Sequence, residues 1–82
     1  MNADEIRATV LQVLGGIAPE VDLSGLKPQV RLRDQLDIDS MDFLNFVTAL
    51  HARLGVNVPE ADYAKVATIA GAQTYLLPRA PE

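Results

Sequence analysis

The sequence DSMDFLNFVTALHARLG, residues 39–55, decides the fold because it carries the clearest helical period of the chain. Asp39 is a preferred N-cap residue, and Asp42 at the third helical position complements the helix dipole. Gly55 is a natural helix stop. We therefore predict an amphipathic helix from Ser40 to Leu54. At about 100° per residue its large apolar side chains share one face; they are Phe43, Phe46, Val47, Leu50 and Leu54.

The N-terminal half predicts one more helix and a long loop. Asn2 and Glu5 have capping-box spacing, and apolar residues then recur at helical intervals until Gly15-Gly16 and Pro19 end the pattern. Residues 18–38 show no sustained period, and a structureless loop of this length is unusual in a compact domain. Its spaced leucines indicate that it packs on the core, with room for a short helical turn.

The C-terminal third predicts two further helices. Val56-Asn57-Val58-Pro59 alternates like a strand but has no partner strand in the sequence, so we interpret it as an extended connector. The segment 59–66 is typical of a short helix. Thr68 is a candidate N-cap for a last helix over Ile69–Leu77.

The length of 82 residues favours one domain. We expect residues 1–77 to form it and residues 78–82 to be a flexible tail. The predicted fold is all-α: a small four-helix bundle with three longer helices, one short helix and a long first loop.

The composition excludes several classes of protein. The formal net charge of −4 disfavours nucleic-acid binding and suits partners with basic docking surfaces. The chain has no cysteine and one histidine, which excludes disulfides, thiolate metal sites and multi-histidine sites. No apolar run approaches the roughly 18 residues that span a membrane, and the acidic N-terminus argues against a secretory signal. We therefore expect a cytoplasmic protein without membrane partners.

The hydroxyl of Ser40 has no candidate catalytic base nearby. His51 lies eleven residues later on the same helix, roughly 16 Å away along the axis, which excludes a Ser–His dyad within this helix. Asp37, Asp39 and Asp42 lack the spacing of an EF-hand, so we expect no metal site. We predict that the protein is not an enzyme and that His51 is a surface residue.

The start of the central helix also bears on phosphate binding. Helix N-termini favour anions. Here Asp39 and Asp42 flank Ser40 and would repel a free phosphate. A covalently attached phosphodiester tolerates such neighbours.

At these residues the sequence resembles the acyl carrier proteins. Members of that family carry an Asp-Ser-Leu or Asp-Ser-Met motif at the start of their second helix, matched here by Asp39-Ser40-Met41. The similarity runs from about residue 4 to residue 77. It includes the long first loop, the entry Val58-Pro59-Glu60 to a short helix, Thr68-Ile69 at the start of the last helix, and Tyr75 near its end.

The resemblance implies a role for Ser40. A phosphopantetheinyl transferase would attach a 4′-phosphopantetheine arm from coenzyme A to its hydroxyl, and the thiol of the arm would hold acyl groups as thioesters. Asp39 would cap the helix and fix the serine, and Met41 would be an apolar docking contact or, alternatively, a core residue. The further partners implied are acyl-loading, condensing or acyl-transfer enzymes of fatty-acid, polyketide or related biosynthesis, visited by a stand-alone monomeric carrier.

The central helix departs from the usual acidic pattern of fatty-acid carriers. Asp39 and Asp42 match that pattern, but other residues stand where glutamates are frequent in the family, namely Asn45, His51, Ala52 and Arg53. Docking on the general fatty-acid enzymes is therefore in question, and a dedicated pathway with its own enzymes is our hypothesis. The predicted docking residues are Asp42, Leu44, Asn45 and Thr48.

The resemblance also implies an acyl pocket among the helices. Two of its positions are bulky, so we predict a small or closed pocket that does not enclose cargo; plain core packing explains most of these residues equally well. The positions are Phe46, Leu50, Val58, Tyr63, Val66, Ala72 and Tyr75.

Two alternatives remain open from the sequence. A peptidyl or aminoacyl carrier shares the fold and the arm, and the weakly charged central helix points slightly toward it. An unmodified helical interaction module, in which Ser40 is only a cap, belongs to a different class.

Overall fold

Four α-helices and two 3-10 segments form the secondary structure of residues 1–81, the part of the chain that this computed structural model describes. No strand occurs within that range. The predicted all-α bundle with a long first loop is therefore confirmed. The elements are α1 (Ala3–Ile17), a first 3-10 turn (Leu23–Gly25), α2 (Leu32–Gln35), α3 (Ser40–Leu54), a 3-10 helix (Glu60–Val66) and α4 (Ile69–Leu76).

The helix ends follow the capping signals in the sequence. Asn2 and Glu5 form a reciprocal capping box at α1, with N···O distances of 2.9 and 3.0 Å. Gly55 ends α3 in the left-handed conformation, with φ of 69°. The Thr68 hydroxyl caps α4 by accepting from the Gly71 N–H at 2.8 Å. The short helix predicted at 59–66 is present as the 3-10 helix, and α4 ends one residue before the predicted Leu77.

The long first loop is fastened to the rest of the molecule. The side-chain amide of Gln35 donates to the carbonyl oxygens of Lys27 and Val30 and accepts from the Lys27 N–H, at 2.8–3.0 Å. The Leu32 N–H donates to the Ala67 carbonyl at 2.8 Å, which ties α2 to the end of the 3-10 helix. The prediction that this loop packs on the core is confirmed, and the loop also contains the helical turn for which its sequence left room.

One apolar core joins the helices. Helix α1 packs against α3 and α4, and α4 packs closely against the 3-10 helix. At Gly71 a β-carbon would lie 2.5 Å from the Lys65 carbonyl oxygen, so the two elements meet backbone to backbone. The side chains that are fully buried in this core are Phe46, Ile6, Leu14, Leu32, Leu50, Ile69, Leu76, Val10 and Val66.

The chain ends lie together. The Met1 ammonium donates to the Pro81 carbonyl at 2.9 Å, and the Ala80 N–H donates to the Leu76 carbonyl at 2.8 Å. The flexibility expected of residues 78–82 stays a prediction, and Glu82 lies outside the described residues.

Candidate functional site

Ser40 opens α3 and does not cap it. The Asp39 carboxylate accepts from the Asp42 N–H at 2.9 Å, and the Asp42 carboxylate accepts from the Asp39 N–H at 3.2 Å. These two aspartates satisfy the exposed donors of the first turn between them. Ser40 is exposed, and within residues 1–81 its hydroxyl makes no hydrogen bond. The predicted N-cap role of Asp39 is confirmed, and the hydroxyl is left accessible for chemistry.

An uncharged surface follows Ser40 along α3. Met41 is 62% exposed and Leu44 is 43% exposed, so the alternative of Met41 as a core residue is wrong. Asn45 and Thr48 are also exposed, and the Thr48 hydroxyl is turned back to the Leu44 carbonyl at 2.9 Å. We call the four residues Met41, Leu44, Asn45 and Thr48 the uncharged face of α3.

The far end of α3 carries basic groups. His51 is exposed, as predicted, and lies roughly 16 Å from Ser40 along the helix axis at the usual rise per residue. The Arg53 guanidinium donates to the Gln12 side chain on α1 at 3.0 Å. Helix α3 therefore has carboxylates at its start and basic groups at its end, with the uncharged face between them.

The residues predicted for an acyl pocket lie in or against the core. Phe46, Leu50, Val66 and Ala72 have no exposed surface, and Val58 and Tyr75 are 3% and 6% exposed. Tyr63 is only partly buried. The structure therefore fills these positions with packed side chains, which explains their apolar character without cargo.

A surface cleft of about 640 Å³ lies beside the start of α3. Phe43 and Tyr63 meet in it edge to face, with ring centroids 5.6 Å apart and planes at 64°. Beneath them Phe43 also contacts Phe46, with centroids 5.8 Å apart. We call this recess the Phe43–Tyr63 cleft. Its lining consists of Arg31, Arg33, Asp34, Phe43, Tyr63, Ala64, Ala67 and Thr68.

Sequence reasoning missed this cleft. It placed Phe43 on the core face correctly, but it did not show that the side chain lies half-buried at the edge of the core, where it borders a recess. The sequence feature that could have indicated the cleft is the pair Arg31 and Arg33, which borders an otherwise acidic segment.

A polar network joins the 3-10 helix to α4. The Tyr75 hydroxyl donates to the Asp62 carboxylate at 2.7 Å, and the Lys65 ammonium lies 3.3 Å from the same carboxylate. The hydrogen bond from Tyr75, with that from Lys65, lowers the pKa of Asp62, and the same carboxylate raises the pKa of Tyr75. The Arg79 guanidinium lies 3.9 Å from the centre of the Tyr75 ring. Tyr75 therefore serves as a bridge as well as a core residue.

Metal-binding clusters and membrane-spanning helices are both absent from residues 1–81. Residues 1–81 contain no cluster of three or more His, Cys, Asp or Glu side chains able to hold a metal ion. Within the same range, none of the helices combines the length and apolar character needed to cross a membrane.

Comparison with known proteins agrees with this geometry. Residues 4–76 match the family described as "Phosphopantetheine attachment site". The chain is 26% identical over 73 residues to an acyl carrier protein of Helicobacter hepaticus, covering 89% of this chain and 90% of that protein. It is 24% identical over 76 residues to one of Acidothermus cellulolyticus, covering 93% and 89%. It is 27% identical over 74 residues to one of Rubrobacter xylanophilus, covering 87% and 91%.

The chain thus belongs to the phosphopantetheine attachment family, whose match spans nearly all of the helical bundle. Within it, the chain is a carrier protein of the acyl carrier protein family. The prosthetic group of this family is 4′-phosphopantetheine. The surface at the start of α3 fits such a group, because an exposed serine hydroxyl stands there without a hydrogen-bond partner inside residues 1–81.

Proposed function

We propose that Ser40 carries the 4′-phosphopantetheine arm and that the protein delivers acyl thioesters between enzymes of fatty-acid, polyketide or related biosynthesis. The observation that carries the proposal is the exposed Ser40 hydroxyl at the start of a helix that Asp39 and Asp42 cap without it. A phosphodiester attached there leaves both capping hydrogen bonds intact. The start of α3 therefore keeps its stability while it bears the arm.

The attachment needs an external catalyst. The Ser40 oxygen forms a bond to the phosphorus that bears the pantetheine arm in coenzyme A, the pyrophosphate P–O bond breaks, and adenosine 3′,5′-bisphosphate leaves. The hydroxyl proton passes to a base of a phosphopantetheinyl transferase, because His51 is roughly 16 Å away. The bound arm supplies a thiol that forms the thioester. Helix α3 positions the arm, and no residue of the chain acts as acid or base in this proposal.

The uncharged face of α3 gives the proposal a partner surface, and we call it the docking face from here on. Met41 and Leu44 offer apolar contact beside Ser40, and Asn45 and Thr48 extend the surface without charge. A few well-buried side chains near the centre of an interface carry most of the affinity of a protein complex. We therefore place the transferase and the acyl-loading, condensing or acyl-transfer enzymes on this face. Enzymes of a dedicated pathway suit it better than enzymes whose docking surface is strongly basic.

A peptidyl or aminoacyl carrier is the second candidate. The uncharged docking face favours it, whereas the curated relatives above are all acyl carrier proteins. Incubation of the arm-bearing protein with adenylating enzymes and amino acids, against acyl-activating enzymes and fatty acids, separates the two by the mass of the thioester formed.

The attachment is tested by intact-protein mass spectrometry. The protein is incubated with coenzyme A and a broad-specificity phosphopantetheinyl transferase. We expect wild type to gain the mass of the arm and Ser40→Ala to gain nothing. Ser24→Ala is the matched control, because Ser24 is the other serine and its hydroxyl already donates to Asp22 at 2.7 Å. If wild type stays unmodified, the protein is an interaction module; modification of Ser40→Ala would place the arm elsewhere.

The docking face is tested by the kinetics of the same reaction. Met41→Ala and Leu44→Ala should each lower kcat/KM of the transferase roughly fivefold or more, as central interface truncations do. Leu77→Ala is the control, because Leu77 is 38% exposed and lies at the end of α4. Equal kcat/KM values for all three variants and wild type would remove the docking role.

A further inference from the structure

Met41 places a thioether in water beside the attachment point. The residue follows Ser40 directly in the first turn of α3 and is 62% exposed, against 43% for Leu44 on the same helix. It does not belong to the apolar core or to the side chains packed against that core. The sulfur of Met41 is therefore open to small reagents in solution.

The chain offers an oxidant two sulfur atoms. It contains two methionines, and it has no cysteine and no tryptophan. The other methionine, Met1, is partly buried and packs against the core. Met41 is thus the more accessible of the two sulfurs. A thioether carries no proton, so it reacts without the deprotonation that a thiol needs.

Oxidation of this thioether by a peroxide is a balanced two-electron step. The Met41 sulfur attacks one oxygen of hydrogen peroxide, an S–O bond forms and the O–O bond breaks. The sulfur is oxidised to a sulfoxide and the peroxide is reduced. The departing hydroxide takes the proton of the transferred hydroxyl and leaves as water. The step is reversible in cells, because methionine sulfoxide reductases A and B each return one sulfoxide epimer to the thioether.

The sulfoxide changes the docking face at its apolar end. Oxidation converts a flexible apolar side chain into a polar one. The new oxygen is a hydrogen-bond acceptor, and burying it against an apolar partner surface without a donor costs free energy. Met41 and Leu44 are the two large apolar side chains of the docking face. Oxidation therefore removes one of its two apolar contacts.

We propose that Met41 is a reversible oxidation site and that its sulfoxide weakens the docking of enzymes that act at Ser40. The proposal rests on attachment of the arm to Ser40 and on the docking face, and it adds a regulation of that same site. The oxidant is a peroxide. The fold should tolerate the change, because Met41 lies outside the core.

The experiment compares the apo protein before and after treatment with hydrogen peroxide. The treated protein is desalted, and peptide mass spectrometry measures the gain of one oxygen at Met41 and at Met1. Coenzyme A and the broad-specificity phosphopantetheinyl transferase are then added. We expect the Met41 sulfoxide to lower kcat/KM roughly fivefold or more, the loss expected for Met41→Ala. Both reductases together, with a dithiol as reductant, should restore the original mass and kcat/KM.

Met41→Leu is the matched control, because it keeps an apolar side chain at this position and has no sulfur there. Its kcat/KM, whatever the starting value, should be the same before and after peroxide, although Met1 can still be oxidised. Thermal melts separate docking from folding. Oxidation of wild type should move Tm by about 4 °C or less, as a change at an exposed position does.

Three outcomes would overturn the proposal. The first is a peptide map in which Met1 gains oxygen and Met41 does not, or a Met41 sulfoxide that leaves kcat/KM unchanged. The second is an equal fall of kcat/KM in Met41→Leu, which would assign the loss to Met1 or to general damage. The third is a large fall of Tm on oxidation. If untreated wild type gains no arm, attachment at Ser40 is refuted, and the peptide map keeps that failure apart from failure of the Met41 sulfur to react.

Discussion

A single methyl group at Gly71 should weaken the contact between α4 and the 3-10 helix. In Gly71→Ala the new β-carbon would lie 2.5 Å from the Lys65 carbonyl oxygen and 2.9 Å from the Thr68 hydroxyl oxygen. The carbonyl belongs to the backbone and cannot rotate away. The Thr68 hydroxyl caps α4 by accepting from the Gly71 N–H at 2.8 Å, so its displacement also disturbs the cap. The two helices must therefore move apart.

The expected loss of unfolding free energy combines three contributions. Overpacking of a tight contact costs about 1–3 kcal/mol, and loss of a Thr cap costs about 1 kcal/mol. The better helix propensity of alanine returns up to about 1 kcal/mol. We therefore expect Gly71→Ala to lower the free energy of unfolding by about 2 kcal/mol. For a domain of this size, that lowers Tm by about 8–16 °C.

The assay is urea denaturation followed by circular dichroism, together with a thermal melt. Gly16→Ala is the matched control, because Gly16 also lies in a helix and a β-carbon there would meet no atom within 4 Å. That variant should be as stable as wild type or more stable by up to about 1 kcal/mol. The reasoning fails if Gly71→Ala is as stable as wild type, or if both variants shift Tm in the same direction by similar amounts.

Three further predictions concern stability. Gln35→Ala removes three hydrogen bonds to the backbone of the first loop and should cost about 1–3 kcal/mol of unfolding free energy in urea; no change would mean that the loop is held by its apolar side chains alone. Gly55→Ala forces a β-carbon into a φ of 69° and should cost about 1–2 kcal/mol in the same assay, against Gly16→Ala. Asp62→Ala should remove part of the pH dependence of the free energy of unfolding. The folded-state pKa of Asp62 lies below its ordinary 3.8. This carboxylate therefore stabilises the fold above pH 3.8, and its contribution is lost as the pH falls through the lowered pKa. Melts of wild type and Asp62→Ala at stepped pH should converge in acid, and a constant Tm difference would contradict this.

The helices were predictable because their signals are local. Asp39 and Asp42 lie three residues apart and define the start of α3, and Gly55 defines its end. The period of apolar residues between them identified Phe46 and Leu50 as core. Each of these features needs only the geometry of one helix, so the sequence contains all the information.

The loop and the cleft were less predictable because their contacts join distant segments. The Leu32 N–H pairs with the Ala67 carbonyl, and Phe43 meets Tyr63 across twenty residues. Helical periodicity assigned Phe43 to the apolar face correctly. It cannot say whether the edge of that face is covered, because the answer depends on where the 3-10 helix packs. The sequence therefore identified Ser40 as the candidate attachment point but not the recess beside it.

The charges near Ser40 also bear on the direction of the arm. The phosphodiester proposed there is an anion beside the carboxylates of Asp39 and Asp42, which are held in place by their reciprocal hydrogen bonds. Like charges fixed at close range repel, and the nearby apolar surface lowers screening by water. The carboxylates that free the hydroxyl by capping α3 therefore also favour an arm whose phosphate turns away from them.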